Sequence, residues 1–336
     1  MSYRAEQIWS PISETILTWE EAFHDLLLND RLRMNAYRKA IFEVVKPGDH
    51  VVDLGVGTGI LSEWALEAGA KRVTGIEMNK EILDHALNRL SKGGHQARFF
   101  PVNKVSFDVA LEAPADVLIS EIMGNIADNE NFQPILQDAI SRFLKPNGRI
   151  LPKSVSSYIV PVSAIKAHQD LCNGIVSSLN PNYGVGNISR QSKSLFDLYY
   201  DCILPEQLYL DDPQMICRYE GQWTQSPTYD RQISYTLKRE GVLTGFKAYF
   251  IAELSDETVL DISGGNIAAG GTSDSWKHAY LPIEIPIDVR PGDILSLTFS
   301  RHYPETPASS FQQIYQWSGA IRRHGDIVGQ FAQRTG

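Results

Sequence analysis

Cysteine is scarce in this chain. Cys172, Cys202 and Cys217 are the only three in 336 residues, too few and too widely spaced for a disulfide framework or a CxxC metal knuckle. Reduced, partly buried thiols are the expectation. Long apolar runs are missing too: the longest, such as VLISEIMG, fall far below the roughly 20 residues that cross a bilayer. The opening MSYRAEQIWSPISE holds no uninterrupted apolar stretch of the kind a secretion signal needs, so the expected location is the cytoplasm, with no membrane partner. A basic excess is also lacking. There are 31 Lys and Arg against 40 Asp and Glu, a formal net charge of −9. The balance is 16 basic to 21 acidic residues up to Ile150 and 15 to 19 beyond it, so neither part has the footprint of a nucleic-acid binder. Charge alone allows a weak attraction for cationic partners. His278, His302 and His324 form no ligand spacing, so no metal is expected. Internal repeats and low-complexity tracts are absent.

What is present has ordinary globular proportions, 43% apolar and 21% charged, at a length that suggests two domains. The first half alternates helix and strand patterns. Apolar residues at Phe23, Leu26, Leu27, Met34, Tyr37 and Ile41 predict a helix from about Thr18 to Val45, broken by Pro47-Gly48-Asp49. His50–Val56 reads as a buried strand, Ile60–Ala70 as a helix, Arg72–Glu77 as a strand and Asn79–Leu90 as a helix. Strands at Ala97–Val102 and Ala115–Ile122 follow, then an amphipathic helix at Phe132–Leu144, a turn at Lys145-Pro146-Asn147-Gly148 and a strand at Arg149. Strands separated by helices predict a parallel, doubly wound α/β sheet. After Pro152 the texture changes to β-rich segments with Gly, Pro and Asp turns, which predicts an antiparallel sheet or barrel. The stretch from Ala164 to Pro205 is more polar and helical, and reads as an insertion projecting from the sheets.

The sharpest motif is Asp53-Leu54-Gly55-Val56-Gly57-Thr58-Gly59, leaving a predicted strand and opening a predicted helix, as a nucleotide site requires. Glycine lets the backbone approach a ligand and adopt positive φ. Ile60 stands where a dinucleotide fingerprint wants its third glycine. Asp53 would be unwelcome beside a pyrophosphate but suits a cationic amino-acid moiety. Glu77, at the end of the second strand, stands where an acid accepts both hydroxyls of a ribose. A ligand-free glycine turn and an NAD site are the alternatives. Together these residues resemble the class I S-adenosylmethionine-dependent methyltransferases, which makes S-adenosylmethionine the expected cofactor.

The fourth strand ends in Ser120-Glu121-Ile122-Met123-Gly124-Asn125, and Glu130 follows nine residues after Glu121. Ligands of open α/β sheets lie beyond the carboxyl ends of strands. Two carboxylates in one pocket repel unless a cation lies between them. A guanidinium, planar and permanently charged, is the natural cation. Taken singly, Glu121 reads equally as a strand-end cap and Glu130 as a solvated loop charge.

The pair and its spacing resemble the double-glutamate loop of the protein arginine methyltransferases. Other parts of that family's pattern fall in register along nearly the whole chain. His24, Asp30, Arg33 and Tyr37 match its H-x₅-D-x₂-R-x₃-Y helix, which implies that Arg33 pairs with the cofactor carboxylate. Val105 and Ser106 fall at the adenine end, Ser106 where a carboxylate often meets the adenine amino group. Ile150-Leu151-Pro152 resembles the domain junction, and Asp274-Ser275-Trp276 occupies the place of the family's Thr-His-Trp loop, which makes Trp276 a candidate substrate contact beside its simpler reading as core. The 164–205 insertion sits where the family carries a dimerisation arm.

Departures are equally specific. Two lid tyrosines of the family pattern fall at Glu14 and Thr18, Leu27 replaces Met, Asn125 replaces Tyr, and Ser275 replaces the loop histidine. That last change implies loss of a contact to the active-site acids. The resemblance thus implies a Rossmann-like domain over 47–151 after an N-terminal helical segment over 1–46 that lids the cofactor. A β-barrel domain over 152–336 would follow, with an arm at about 165–205 and a homodimer formed through it. It implies methyl transfer from S-adenosylmethionine to a guanidino nitrogen of arginine, free or in a peptide or protein. Glu121 and Glu130 would be catalytic and hold the substrate, and Arg33, Asp53, Gly55, Gly57, Gly59, Glu77, Val105 and Ser106 would hold the cofactor. Methylation of another small guanidino or amine metabolite, or non-catalytic cofactor binding as a partner protein, are the alternatives.

Overall fold

The structure is a computed structural model that describes residues 4–9, 26–177, 194–305 and 313–335. His24, Glu14 and Thr18 lie outside the described residues. The helix expected to run through to Val45 is interrupted at Asp30, whose side chain accepts from the Arg33 backbone N–H at 3.1 Å and caps α1 (Arg31–Val44). Arg33, Tyr37, Ala40 and Ile41, spaced three to four apart, form its buried face.

Five parallel strands follow: β2 (His50–Leu54), β3 (Arg72–Ile76), β4 (Phe99–Val102), β5 (Ala115–Ser120) and β6 (Leu144–Leu151), ordered β4-β3-β2-β5-β6. Their crossovers carry α2 (Ile60–Glu67), α3 (Lys80–Lys92) and α4 (Phe132–Phe143). Strand order reverses between β2 and β5, so the crevice beyond their carboxyl ends is the topological switch point where such sheets bind ligands. The turn expected at Lys145–Gly148 is absorbed into β6 as a bulge: Leu144 pairs with Ala115, and the next pair is Arg149 with Val117.

β7 (Ser154–Val162) begins two antiparallel sheets. One runs β1-β8-β13-β11-β7-β9, comprising β1 (Ile8–Trp9), β8 (Tyr200–Cys202), β13 (His278–Val289), β11 (Gly241–Glu253), β7 and β9 (Gln214–Glu220), with β12 (Val259–Asp261) on β11. The other is β10-β14-β15-β16, from β10 (Tyr229–Thr236), β14 (Ile294–His302), β15 (Ile314–Arg323) and β16 (Asp326–Arg334). Together they make the barrel-like second half. The stretch read as a projecting helical insertion is only partly so. α5 (Ile165–Cys172) is a helix, 178–193 lie outside the described residues, and Tyr200–Cys202 returns to the sheet between β1 and β13. Ile8–Trp9, expected in the N-terminal helical segment, pairs there too. Of the cysteines, Cys202 and Cys217 are buried and Cys172 is exposed, and none is bonded.

One continuous apolar core joins the halves, from Tyr37, Val51 and Leu118 through Phe132 and Trp276 to Trp317. No helix among the described residues is long and apolar enough to cross a membrane.

Candidate active site

A cleft of about 1040 Å³, including its open mouth, lies at the switch point. Its floor is the loop leaving β2. Gly55, Gly57 and Gly59 all have positive φ (77°, 55° and 84°), and a Cβ on Gly59 would meet that of Ala86 at 2.9 Å, so this turn admits glycine and little else. Glu77 closes one side. Its carboxylate accepts from the Gly57 N–H at 3.1 Å and the Asn79 N–H at 2.9 Å, which fixes the acid while leaving lone pairs for a diol. Asn79 also caps α3.

Asp53 lies buried beneath this loop. One oxygen accepts from the Ser62 hydroxyl at 2.6 Å and the other has no partner, and burial pushes its pKa up to about 7. An ionised Asp53 therefore lacks a counter-charge, which fits a cationic amino-acid group above it. At the open end, Met78, Val105 and Phe107 are exposed apolar side chains beside buried Ser106, a wall suited to a flat heterocycle.

The opposite wall carries Glu121, just past β5, and Glu130. Burial is the first cause that raises both, Glu121 to about 7 and Glu130 to about 8, and for Glu130 the neighbouring Glu121 adds to the rise. Arg33 pairs with Glu121, both side chains being 9% exposed, and its guanidinium lies 5.6 Å from the centre of the Trp276 ring. The Tyr37 hydroxyl donates to the Ser120 carbonyl at 3.2 Å and so anchors the strand end that bears Glu121.

The loop between the two acids is tightly specified. Gly124 and Ala127 form a two-residue bridge, and a Cβ on Gly124 would collide with Asn129 at 2.2 Å. Asn129 accepts from the Ile126 N–H at 2.9 Å, and Asn125 donates to Asp201 at 2.6 Å. The Trp276 indole N–H donates to the Met123 carbonyl at 2.6 Å.

Gly55, Gly57, Glu77, Val105, Ser106, Glu121 and Glu130 therefore line one cleft. Asp53 and Gly59 lie under it, and Arg33 stands behind Glu121. Trp276 is 6% exposed and packs edge-on against Phe250 at 5.0 Å, so it supports the loop rather than lining the cleft. No hydrogen bond among the described residues joins Ser275 to Glu121 or Glu130; it bonds the α1 cap instead. Ser275 donates to Asp30 through its N–H (3.0 Å) and its hydroxyl (2.8 Å), and Ser273 adds a third bond. Sequence reasoning passed over Asp128, Asn129 and Asp201. A run of Asp and Asn in a loop signals turns, but nothing in the sequence says which way such side chains face.

Glycine loop, paired diol acid and apolar ring wall at the switch point define a class I S-adenosylmethionine-dependent methyltransferase. Residues 51–148 match the family model of a methyltransferase domain, and residues 154–318 that of the PRMT5 oligomerisation domain. The chain belongs to the protein arginine methyltransferase family. It is 26% identical over 306 residues to probable protein arginine N-methyltransferase 6 of Arabidopsis thaliana, covering 86% of this chain and 67% of that protein. It is 28% identical over 292 residues to protein arginine N-methyltransferase 1 of Dictyostelium discoideum, covering 82% and 80%. Among solved structures, the open conformation of Arabidopsis thaliana protein arginine methyltransferase 10 superposes with a TM-score of 0.76 at 19% identity, over 93% of this chain and 96% of that one. The Trypanosoma brucei PRMT1 enzyme-prozyme heterotetrameric complex with AdoHcy gives 0.78 at 16% identity, over 94% and 99%.

Proposed function

We propose that the protein methylates a guanidino nitrogen of arginine, with Glu121 and Glu130 as the clamp on the guanidinium. Two acids raised above the ordinary carboxylate range in one cleft carry this reading, because a cation between them relieves both at once. S-adenosylmethionine bound on the glycine loop supplies a sulfonium methyl open to displacement by a nitrogen nucleophile. Glu77 would take its ribose hydroxyls, Asp53 would face its ammonium group, and Val105 and Ser106 would flank its adenine. The family pattern assigns Arg33 to the cofactor carboxylate; here its guanidinium pairs with Glu121.

The guanidinium is a poor nucleophile, since its lone pairs are delocalised and it stays protonated. Glu121 and Glu130 hold its plane and draw positive charge toward the nitrogens they touch, leaving the attacking nitrogen richer in electron density. Orientation of this kind can contribute about 7–11 kcal/mol to lowering the barrier. A carboxylate of the pair accepts the proton released as the nitrogen takes the methyl.

The names of the relatives support arginine held in a protein. The departures at Glu14, Thr18 and Asn125 support keeping free arginine as a second assay arm. The match to an oligomerisation domain supports a homodimer in which the 165–205 arm takes part, and the unbonded cysteines support a reducing, cytoplasmic setting. Incubation with labelled S-adenosylmethionine and either free arginine or an Arg-Gly-rich peptide, read by mass spectrometry, tests the reading. A mass increase of one or more methyls on either substrate is expected. No transfer to either, with S-adenosylmethionine still bound, would sink it.

A further inference from the structure

Glu121 leaves a strand, but Glu130 sits on a loop, and among the described residues no hydrogen bond holds its carboxylate. The backbone that carries it sets where it points. Asp128–Glu130 is a single 3-10 turn, flanked by Ala127 at φ 72° and Asn131 at φ 59°. At three residues per turn, side chains two apart point about 120° from one another. Asp128 faces away from the cleft that Glu130 lines.

Asp128 enters the barrel, where it is fully buried. Its Oδ2 accepts from the hydroxyls of Tyr219 (3.1 Å, β9) and Tyr229 (3.0 Å, at the start of β10), and its Oδ1 from that of Tyr315 (2.7 Å, β15). Arg301 on β14, equally buried, places Nε 3.7 Å from Oδ2. Its Nη2 donates to the Asp128 carbonyl and to Asn131 Oδ1, both at 3.1 Å. The turn is thus gripped at both ends by four strands of the second half. A buried ion pair is a poor way to gain stability, since desolvation offsets most of the attraction. Its attested use is to specify one arrangement among several, and here the specified element is the carrier of Glu130.

We propose that Asp128, held by Tyr219, Tyr229, Tyr315 and Arg301, is a positioning residue that aims Glu130 at the substrate guanidinium. The inference rests on the function proposed above. It makes the barrel a part of the reaction geometry, not only a wall beside it. The groups that face Glu130 are Glu121 at the end of β5, Arg33 on α1 and Asp201 on β8. Moving the turn changes its distance to all three.

Asp128→Leu strands Arg301 and risks failure to fold, so the variant that decides is Tyr315→Phe, which removes one hydroxyl and keeps the ring in the core. Three quantities are measured well below its melting temperature: kcat, the acidic limb of kcat/KM against pH, and the Kd of S-adenosylmethionine by titration calorimetry. The expected result is a fall in kcat of about tenfold, the scale of a slightly misplaced reacting group. The acidic limb should shift, with Kd changed less than about twofold. Unchanged kcat and limb, with only the melting temperature lowered, overturns the positioning role, and so does a Kd weakened in parallel with kcat. A parent protein that methylates neither substrate overturns the functional reading and this inference together, whereas an active parent with an indifferent Tyr315→Phe overturns this inference alone.

Discussion

Glu121 and Glu130 bring the same charge into the same cleft, yet the two halves of the molecule hold them by different means. Glu121 rides on the end of a fully paired parallel strand, with Tyr37 fastening that strand end and Arg33 neutralising its charge. Glu130 rides on a short turn, carries no ion pair among the described residues, and takes its place from side chains of the antiparallel half. One acid is fixed locally by the parallel-sheet half, and the other remotely by the antiparallel half. A clamp built this way lets the barrel be altered to admit a different guanidinium carrier without disturbing the nucleotide loop.

The largest expected effect treats the two acids alike. Glu121→Gln and Glu130→Gln should each lower kcat by about 10³-fold, the upper range for removing one electrostatic contact to a developing charge. Calorimetry should show S-adenosylmethionine binding nearly unchanged, and normal turnover in either variant would break the clamp. Glu77→Ala separates the other face of the cleft: cofactor Kd should rise by about 10–100-fold, since two hydrogen bonds at a charged acceptor are lost.

Stability should then tell the two glutamates apart. Glu121→Gln leaves the enclosed Arg33 without its partner and should cost about 1–3 kcal/mol in denaturant unfolding. Glu130→Gln removes a carboxylate that burial already disfavours, and should leave stability unchanged or higher. Equal losses would erase the distinction. pH gives a finer contrast. A guanidinium binds the ionised acids, so kcat/KM should be highest above about pH 8 and fall as pH drops through about 8 and 7, where Glu130 and Glu121 take up protons. Folding runs the other way. Both carboxyls are raised above their unfolded values, so the folded state binds more protons, and the stability of the empty protein should decline as pH rises from about 4.5 to 8. A thermal melt series across that range checks the sign, and Glu130→Gln should flatten it. The smallest effect is Ser275→Ala, which removes one of several donors to Asp30 and should cost about 1 kcal/mol.

The cofactor side was largely legible in the sequence, because a strand, three glycines and an acid at the next strand end are local signals with local causes. The double-glutamate spacing was legible for the same reason. What could not be read depends on contacts that sequence distance hides. Tyr315 meets Asp128 across 187 positions, and a tyrosine in a barrel strand looks like core whether or not its hydroxyl has a task. The hairpin of β15 and β16, turned at His324 and Gly325 with φ of 53° and 97°, carried a two-residue turn signal that the reading passed over. The bonds from the Ser275 N–H and hydroxyl to Asp30 were likewise hidden, because they join positions 245 apart.

The ion pair between Arg33 and Glu121 also has a consequence for turnover. Counting Arg33 behind Glu121 together with the two acids, the ionised group carries one net negative charge, which the proposed clamp would match to a single guanidinium. Methylation leaves that guanidinium charged. On the proposed clamp, reactant and product are therefore held with the same electrostatic grip, and what tells them apart is the bulk of the added methyl and the N–H donor it replaces.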